Sequence, residues 1–277
     1  HHFDEILFRL GPLTVRYYGI LFAGALLAGY LVFRRNWRRA GDDQELVDRA
    51  FLILFLGVVI GARLGHCLFY DPERYLGDPV QILKVWEGGL ASHGAAIGLV
   101  IGVWVAARRL KRPYTQLSDR LSPGIALGSS FVRLGNFVNS EIVGRPSDVP
   151  WAVAFPRYDF PKSHGPPWPG EPVPRHPSQL YELAIGVAIW AALSLVGRRW
   201  GEDKRPKGLV TFLYIGLYFS MRFGVEYFKE EQPEIGSGGA LPFTMGQLLS
   251  IPFALAGWGG FAWLLARARV KRKSGES

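Results

Sequence analysis

Long apolar runs alternate with short clusters of arginine and lysine along most of this 277-residue chain. Because a helix needs about 20 mostly apolar residues to cross a bilayer, these runs indicate a membrane protein. Seven segments have this length and character, and they are residues 15–33, 47–70, 88–107, 117–139, 178–197, 208–228 and 244–266. The pattern therefore predicts an all-α polytopic membrane protein with seven transmembrane helices.

The clusters of arginine and lysine follow every second predicted span. Eighteen of the 32 such residues come after spans one, three, five and seven, and nine are spread over the opposite side. The positive-inside rule then places the N-terminus outside and the C-terminus in the cytoplasm. A sequence pI near 9.8 also suits nucleic-acid binding, but membrane topology accounts for the spacing of the clusters, so we expect no nucleic-acid partner.

Residues 1–277 are expected to form a single integral membrane domain. Between spans four and five, residues 140–177 form a Pro-rich segment on the outer side, and its stretch 146–177 holds 10 of the 19 prolines. Proline at this density prevents regular helices, so the segment is predicted to be a small irregular head. The single cysteine, Cys67, excludes a disulfide within the chain and is predicted to be a small buried residue.

Three arginines that lie well inside predicted spans share the tripeptide pattern Arg-x-Gly. Arg63, Arg133 and Arg222 each precede the outer end of their span by six or seven residues, which places them about 10 Å below the outer surface. An arginine in the apolar layer needs a partner, a wet cavity or a route to the interface. We expect the three to form a cationic ring that binds a lipid phosphate, whose oxygens match the forked guanidinium. Snorkelling to the headgroups is the alternative.

Polar side chains accompany two of these arginines. Asn136 and Asn139 share a helical face with Arg133, and a carboxamide is costly in an apolar layer unless it is paired. Function is the better interpretation for Asn136, whereas capping of the helix end is equally plausible for Asn139 and the next residue, Ser140. Glu226 follows Arg222 by four residues and is expected to hold its guanidinium in place. A merely charge-neutralising bridge is as plausible for that pair.

His93 and Tyr18 are the candidates for proton transfer and hydrogen bonding. His93 enters a glycine-rich apolar stretch near the depth of the arginines, and imidazole exchanges protons near neutral pH. A hydrogen-bonded structural histidine is the alternative. Tyr18 lies at a similar depth on span one, where the aromatic belt of a membrane interface is the competing explanation.

The order and content of these motifs resemble those of the bacterial prolipoprotein diacylglyceryl transferases. The resemblance runs from residue 8 to the last span and is most specific around Arg133. Its motifs are FRLGPLTVRYYG (8–19), GGLASHG (88–94), RLGNFVNSEIVGR (133–145), RHPSQLYE (175–182) and RFGVEYF (222–228).

The resemblance implies a bacterial inner-membrane enzyme whose active site faces the periplasmic leaflet. Such an enzyme moves the sn-1,2-diacylglyceryl group of phosphatidylglycerol to the lipobox cysteine of a prolipoprotein signal peptide and releases glycerol 1-phosphate. The resemblance also implies that Arg133 and Arg222 bind the phosphate and headgroup. It implies catalytic roles for His93 and Tyr18. The supporting residues it implies are Asn136, Glu141, Gly144 and Glu226. Asn139 and Arg63 join the binding set on the residue patterns alone.

No metal or cofactor is expected, because the sequence has no cluster of carboxylates suited to a divalent cation. This weighs against a magnesium-dependent phospholipid headgroup transferase. A small-anion transporter would also use buried arginines, but it predicts paired half-helices near mid-membrane rather than polar residues gathered toward one surface. Which of His93 and Tyr18 takes the thiol proton stays open.

Overall fold

The computed structural model describes residues 6–11, 13–84, 89–161, 167–201, 205–230 and 243–274, and it is mainly helical. The long helices are α1 (Tyr17–Arg39), α2 (Gln44–Phe69), α4 (Ser92–Arg109), α5 (Tyr114–Val138), α7 (Ser178–Trp200), α8 (Leu209–Val225) and α9 (Met245–Ser274). Shorter elements are α3 (Pro72–Gly77), α6 (Pro156–Asp159) and the 3-10 turns Pro79–Leu83 and Glu226–Phe228. Each long helix falls on one of the seven predicted spans.

Five helices of the described segments are long and apolar enough to cross a membrane. They are Tyr17–Arg39, Gln44–Phe69, Ser178–Trp200, Leu209–Phe228 and Met245–Val270. The prediction of a helical protein with several membrane spans is thereby confirmed. The other two predicted spans coincide with α4, which ends in two arginines, and with α5, which carries charged residues along its length. Their crossing stays a prediction, as does the start of span three at Gly88, which lies outside the described residues.

Two small antiparallel sheets, which the sequence analysis did not predict, accompany the helices. Strand β1 (Ile6–Leu10) pairs with β2 (Leu13–Arg16) immediately before α1. Strand β3 (Val153–Ala154) pairs with β4 (Pro174–Arg175) and joins the two ends of the Pro-rich segment. Strands of two to five residues are too short to give a clear alternation of apolar and polar positions, so the sequence pattern does not reveal them.

The chain divides into two compact units, one formed by His1–Val32 with Leu121–Ser277 and the other by Phe33–Arg120. In the second unit, α2 and α4 pack through glycines spaced four residues apart. A Cβ atom on Gly65 would lie 2.7 Å from Cα of Gly94, and one on Gly57 would lie 2.6 Å from the carbonyl oxygen of Gly98. Small residues at this spacing let membrane helices approach closely. Cys67 is fully buried in this unit, as predicted.

In the first unit, α5, α7 and α8 share an apolar core formed by Ala126, Ile189, Leu193, Val210 and Leu213. Helix α9 packs against α8, where a Cβ atom on Gly257 would lie only 2.6 Å from Cα of Gly216. This core lies between α5, α7 and α8, and the polar residues described next lie at the C-terminal ends of α5 and α8 and at the N-terminal end of α7.

Candidate active site

The C-terminal end of α5 is closed by a turn that folds the chain back over the helix. Ser140 adopts a left-handed backbone conformation, with φ of 57°. Its N–H donates to the carbonyl of Phe137 at 3.1 Å, and the N–H of Glu141 donates to that of Asn136 at 2.8 Å. These two bonds define a Schellman cap, which usually has glycine where Ser140 stands. The cap directs the side chain of Glu141 back toward the last turn of α5.

Glu141 therefore meets both asparagines that the sequence singles out. Its carboxylate accepts hydrogen bonds from Nδ2 of Asn136 at 3.0 Å and from Nδ2 of Asn139 at 3.2 Å. Its backbone carbonyl accepts one from Nε2 of Gln179 at the start of α7, at 2.7 Å. Ser140 thus caps the helix through its backbone, whereas the side chain of Asn139 binds Glu141.

Gly144 lies where three segments of the first unit meet. Its N–H donates to the carbonyl of His176 at 3.0 Å, and the N–H of the next residue, Arg145, donates to the carbonyl of Phe228 at 2.9 Å. A Cβ atom on Gly144 would lie 2.6 Å from that Phe228 carbonyl. Only glycine fits without moving backbone, so Gly144 ties the chain after α5 to the segments before α7 and after α8.

A pocket is lined by residues of α5, α7 and α8. Arg133, Arg222 and Glu182 are its charged residues, and Tyr218 and Ser129 add hydroxyl groups. Its apolar wall includes Ala126, Ile185, Ile189 and Val225. The pocket thus combines two arginines with an apolar lining, a composition suited to a lipid with an anionic headgroup.

Arg133 takes part in a chain of ion pairs that the sequence analysis missed. Nε of Arg133 lies 3.0 Å from Oε2 of Glu182, and Oε1 of Glu182 lies 3.1 Å from Nζ of Lys229. Burial lowers the pKa of Lys229, and the charges of Arg133 and Arg222 lower it further, while Glu182 and Glu226 act against the shift. The sequence feature that could have identified Glu182 is its position, because a carboxylate in the second turn of a predicted membrane span is unusual.

The ion pair between Glu226 and Arg222 that the sequence suggested is absent from the described residues. The N–H of Glu226 donates to the carbonyl of Arg222, so the four-residue helical spacing is kept where the 3-10 turn begins, but spacing alone does not select the partner of the carboxylate. Within the described segments, the ion pair of Glu226 is with Lys229, at 3.8 Å from Oε2 to Nζ. Arg222 itself lines the pocket.

Tyr18, in the first turn of α1, joins the same group of residues. Its ring lies against Gly135, where a Cβ atom would be 2.8 Å from Cδ2 of the tyrosine. The phenol also interacts electrostatically with Glu141 and Arg133. The structure thus brings together Tyr18, Arg133, Asn136, Asn139, Glu141, Gly144, Arg222 and Glu226, which are eight of the ten residues that the sequence analysis selected.

The other two selected residues, Arg63 and His93, belong to the second unit, which is described by itself. Arg63 is buried and donates to three backbone carbonyls, those of Gln81 at 2.6 Å, Ile82 at 2.9 Å and Gly89 at 3.3 Å. These bonds tie the segment between α3 and α4 to α2. The side chain of His93 is exposed in the first turn of α4. The ligand role of Arg63 and the catalytic role of His93 stay predictions.

Comparison with known proteins agrees with the class that this pocket suggests, a membrane enzyme acting on an anionic lipid. The family described as prolipoprotein diacylglyceryl transferase matches residues 5–263. The chain is similar to the Phosphatidylglycerol--prolipoprotein diacylglyceryl transferase of Tolumonas auensis, at 42% identity over 92% of the chain and 93% of the relative.

Proteins of the same name from Geobacter sulfurreducens and Vibrio cholerae are each 39% identical, over 97% and 95% of the chain and 98% and 92% of the relatives. The chain belongs to the prolipoprotein diacylglyceryl transferase family.

Proposed function

We propose that this protein transfers the sn-1,2-diacylglyceryl group of phosphatidylglycerol to the thiol of the lipobox cysteine in a prolipoprotein. The products are a thioether-linked lipid on the cysteine and free glycerol 1-phosphate, and the reaction is the first step of lipoprotein maturation. The observation that carries the proposal is the pair of arginines, Arg133 and Arg222, that line one largely apolar pocket. Membership of the family supports the same activity.

In the reaction, the cysteine sulfur attacks the glyceryl carbon that bears the phosphate. A carbon–sulfur bond forms as the carbon–oxygen bond breaks, and the electron pair leaves with the phosphate oxygen. Because negative charge grows on the leaving phosphate, fixed guanidinium groups stabilise the transition state more than the bound lipid. We assign this role to Arg133 and Arg222, with Glu141, Asn136 and Asn139 fixing the end of α5 that carries Arg133.

The thiol must also lose its proton, since the thiolate is the nucleophile and an ordinary cysteine has a pKa of about 8.5. His93 is our first candidate for the base, and Tyr18 is the second. Tyr18 lies in the same unit as Arg133 and interacts with it electrostatically. A phenol keeps its proton at neutral pH, so we assign Tyr18 the role of a hydrogen-bond donor to the leaving phosphate or the glyceryl oxygen.

The proposed location is the bacterial inner membrane, with seven spans and the active site toward the periplasmic leaflet. The distribution of cations around the spans supports this orientation. Two variants distinguish this orientation from the opposite one. Each carries a single cysteine, in place of Arg109 or of Asp148, in a Cys67→Ser background. An impermeant thiol reagent added to intact cells should label the second and not the first, and the reverse result would exclude an outward-facing site.

The activity is tested with purified protein, phosphatidylglycerol vesicles and a signal peptide that contains a lipobox cysteine. Mass spectrometry should find a peptide that has gained one diacylglyceryl group in a thioether bond. A matched peptide with serine in place of the cysteine should remain unmodified. If the cysteine peptide also remains unmodified, the proposed function is wrong.

A further inference from the structure

Glu182 and Lys229 form a charged pair that the roles proposed above do not use. Glu182 is in the second turn of α7, and Lys229 directly follows the 3-10 turn after α8. Their side chains are each about 10% exposed, and Nζ of Lys229 lies 3.1 Å from Oε1 of Glu182. An ion pair this deeply buried is costly to form, so it is weak evidence for stability and calls for another explanation.

The charged side chains around this pair include more cations than carboxylates. Arg133, Arg222 and Lys229 are the cations, and Glu182 and Glu226 are the carboxylates that interact with Lys229. This cluster of five side chains carries one positive charge in excess, and Glu141, whose carboxylate is hydrogen-bonded to Asn136 and Asn139, is not among the groups that act on Lys229. A phosphodiester carries one negative charge, so binding of the lipid headgroup would neutralise the cluster.

Glu182 also affects how Arg133 is presented to a ligand. One oxygen of the carboxylate is held by Lys229, and the other approaches Arg133 most closely at Nε, at 3.0 Å. Without Lys229, both oxygens would be free to turn toward Arg133 and form the two-pronged pair that arginine makes with carboxylates. That pairing would occupy the face of the guanidinium that a phosphate needs.

We propose that Lys229 is a positioning residue for the transfer reaction, which holds Glu182 so that Arg133 stays available to the phosphate and the cluster keeps its excess positive charge. The proposal rests on the proposed function. It assigns to Lys229 no contact with the lipid and no proton transfer, because its effect passes through Glu182 to Arg133.

The test compares Lys229→Met, Lys229→Arg and the double variant Lys229→Met/Glu182→Gln. Lys229→Met should raise the KM for phosphatidylglycerol about tenfold or more, within the range of coupling between neighbouring charged residues. Lys229→Arg keeps the charge and should stay near the wild-type value. The double variant restores the excess positive charge and removes the competing carboxylate, so it should recover most of the loss.

A residue needed only for folding would behave differently. The double variant would then be no better than Lys229→Met, and that result would overturn the proposal, as would an unchanged KM in Lys229→Met. If Lys229→Met does not fold, the proposal is tested by the KM of the double variant. That variant leaves no unpaired carboxylate at position 182. Arg9→Met, which removes an exposed cation from β1, is the matched control. If the wild-type protein itself shows no transfer, the proposed function is contradicted rather than the role of Lys229.

Discussion

The aromatic ring of Tyr18 rests on Gly135, which lies two residues after Arg133 in α5. A Cβ atom on Gly135 would come within 2.8 Å of Cδ2 and 3.2 Å of Cε2 of that ring. The glycine of the Arg-x-Gly tripeptide thus leaves room for Tyr18 beside the arginine. The contact explains in structural terms why the tripeptide ends in glycine at this span.

Replacing Gly135 by alanine should push the Tyr18 ring away from Arg133. Because misplacement of a reacting group by about 1 Å can cost about 100-fold in rate, we expect transfer to fall by one to two orders of magnitude. Gly19→Ala is the matched control, since nothing lies within 4 Å of a Cβ atom there. Equal rates for the two variants would mean that the position of Tyr18 does not matter.

Replacement of Arg133 or Arg222 by alanine should lower transfer at least about 100-fold, the usual loss when a group that stabilises transition-state charge is removed. Lysine should rescue each position poorly, because an ammonium group cannot offer the planar fork of donors. Initial rates at saturating phosphatidylglycerol measure the effect, with detergent-solubilised protein checked for folding by size-exclusion chromatography. A lysine variant at wild-type rate would contradict two-pronged binding.

The pH dependence of two variants separates His93 from Tyr18. If His93 takes the thiol proton, His93→Gln should slow the chemical step by roughly 100- to 10,000-fold and recover partly as the pH approaches the thiol pKa, because solvent then ionises the nucleophile. Tyr18→Phe should lose activity without recovery at high pH. Rescue of the Tyr18 variant instead of the His93 variant would exchange the two roles.

Arg63→Ala should reduce stability rather than lipid binding. Its guanidinium holds the carbonyls of Gln81, Ile82 and Gly89, and loss of hydrogen bonds from a charged group costs about 1.5–3 kcal/mol each. We expect a lower melting temperature and an unchanged KM for phosphatidylglycerol. A raised KM at normal stability would support the role in lipid binding that the tripeptide pattern suggests.

Periodicity and charge predicted the helices because both are local properties of the sequence. The grouping of Asn136 and Asn139 with Arg133 was also predictable, since a helix of known register fixes which side chains share a face. The Glu182–Lys229 pair depends on packing between α7 and the segment after α8, which no local pattern encodes. The spacing of Glu226 allows an ion pair with Arg222, four residues before it, or with Lys229, three residues after it, and the sequence pattern does not decide between them; in the structure the pair is with Lys229.

The most direct test of the account is the coupling between release of glycerol phosphate and modification of the peptide. Purified protein is incubated with headgroup-labelled phosphatidylglycerol, with and without the lipobox peptide, and both products are counted. A diacylglyceryl transferase should release one glycerol phosphate for each thioether formed and almost none without peptide. Release that is as fast without peptide would identify a phospholipase and contradict the proposed transfer.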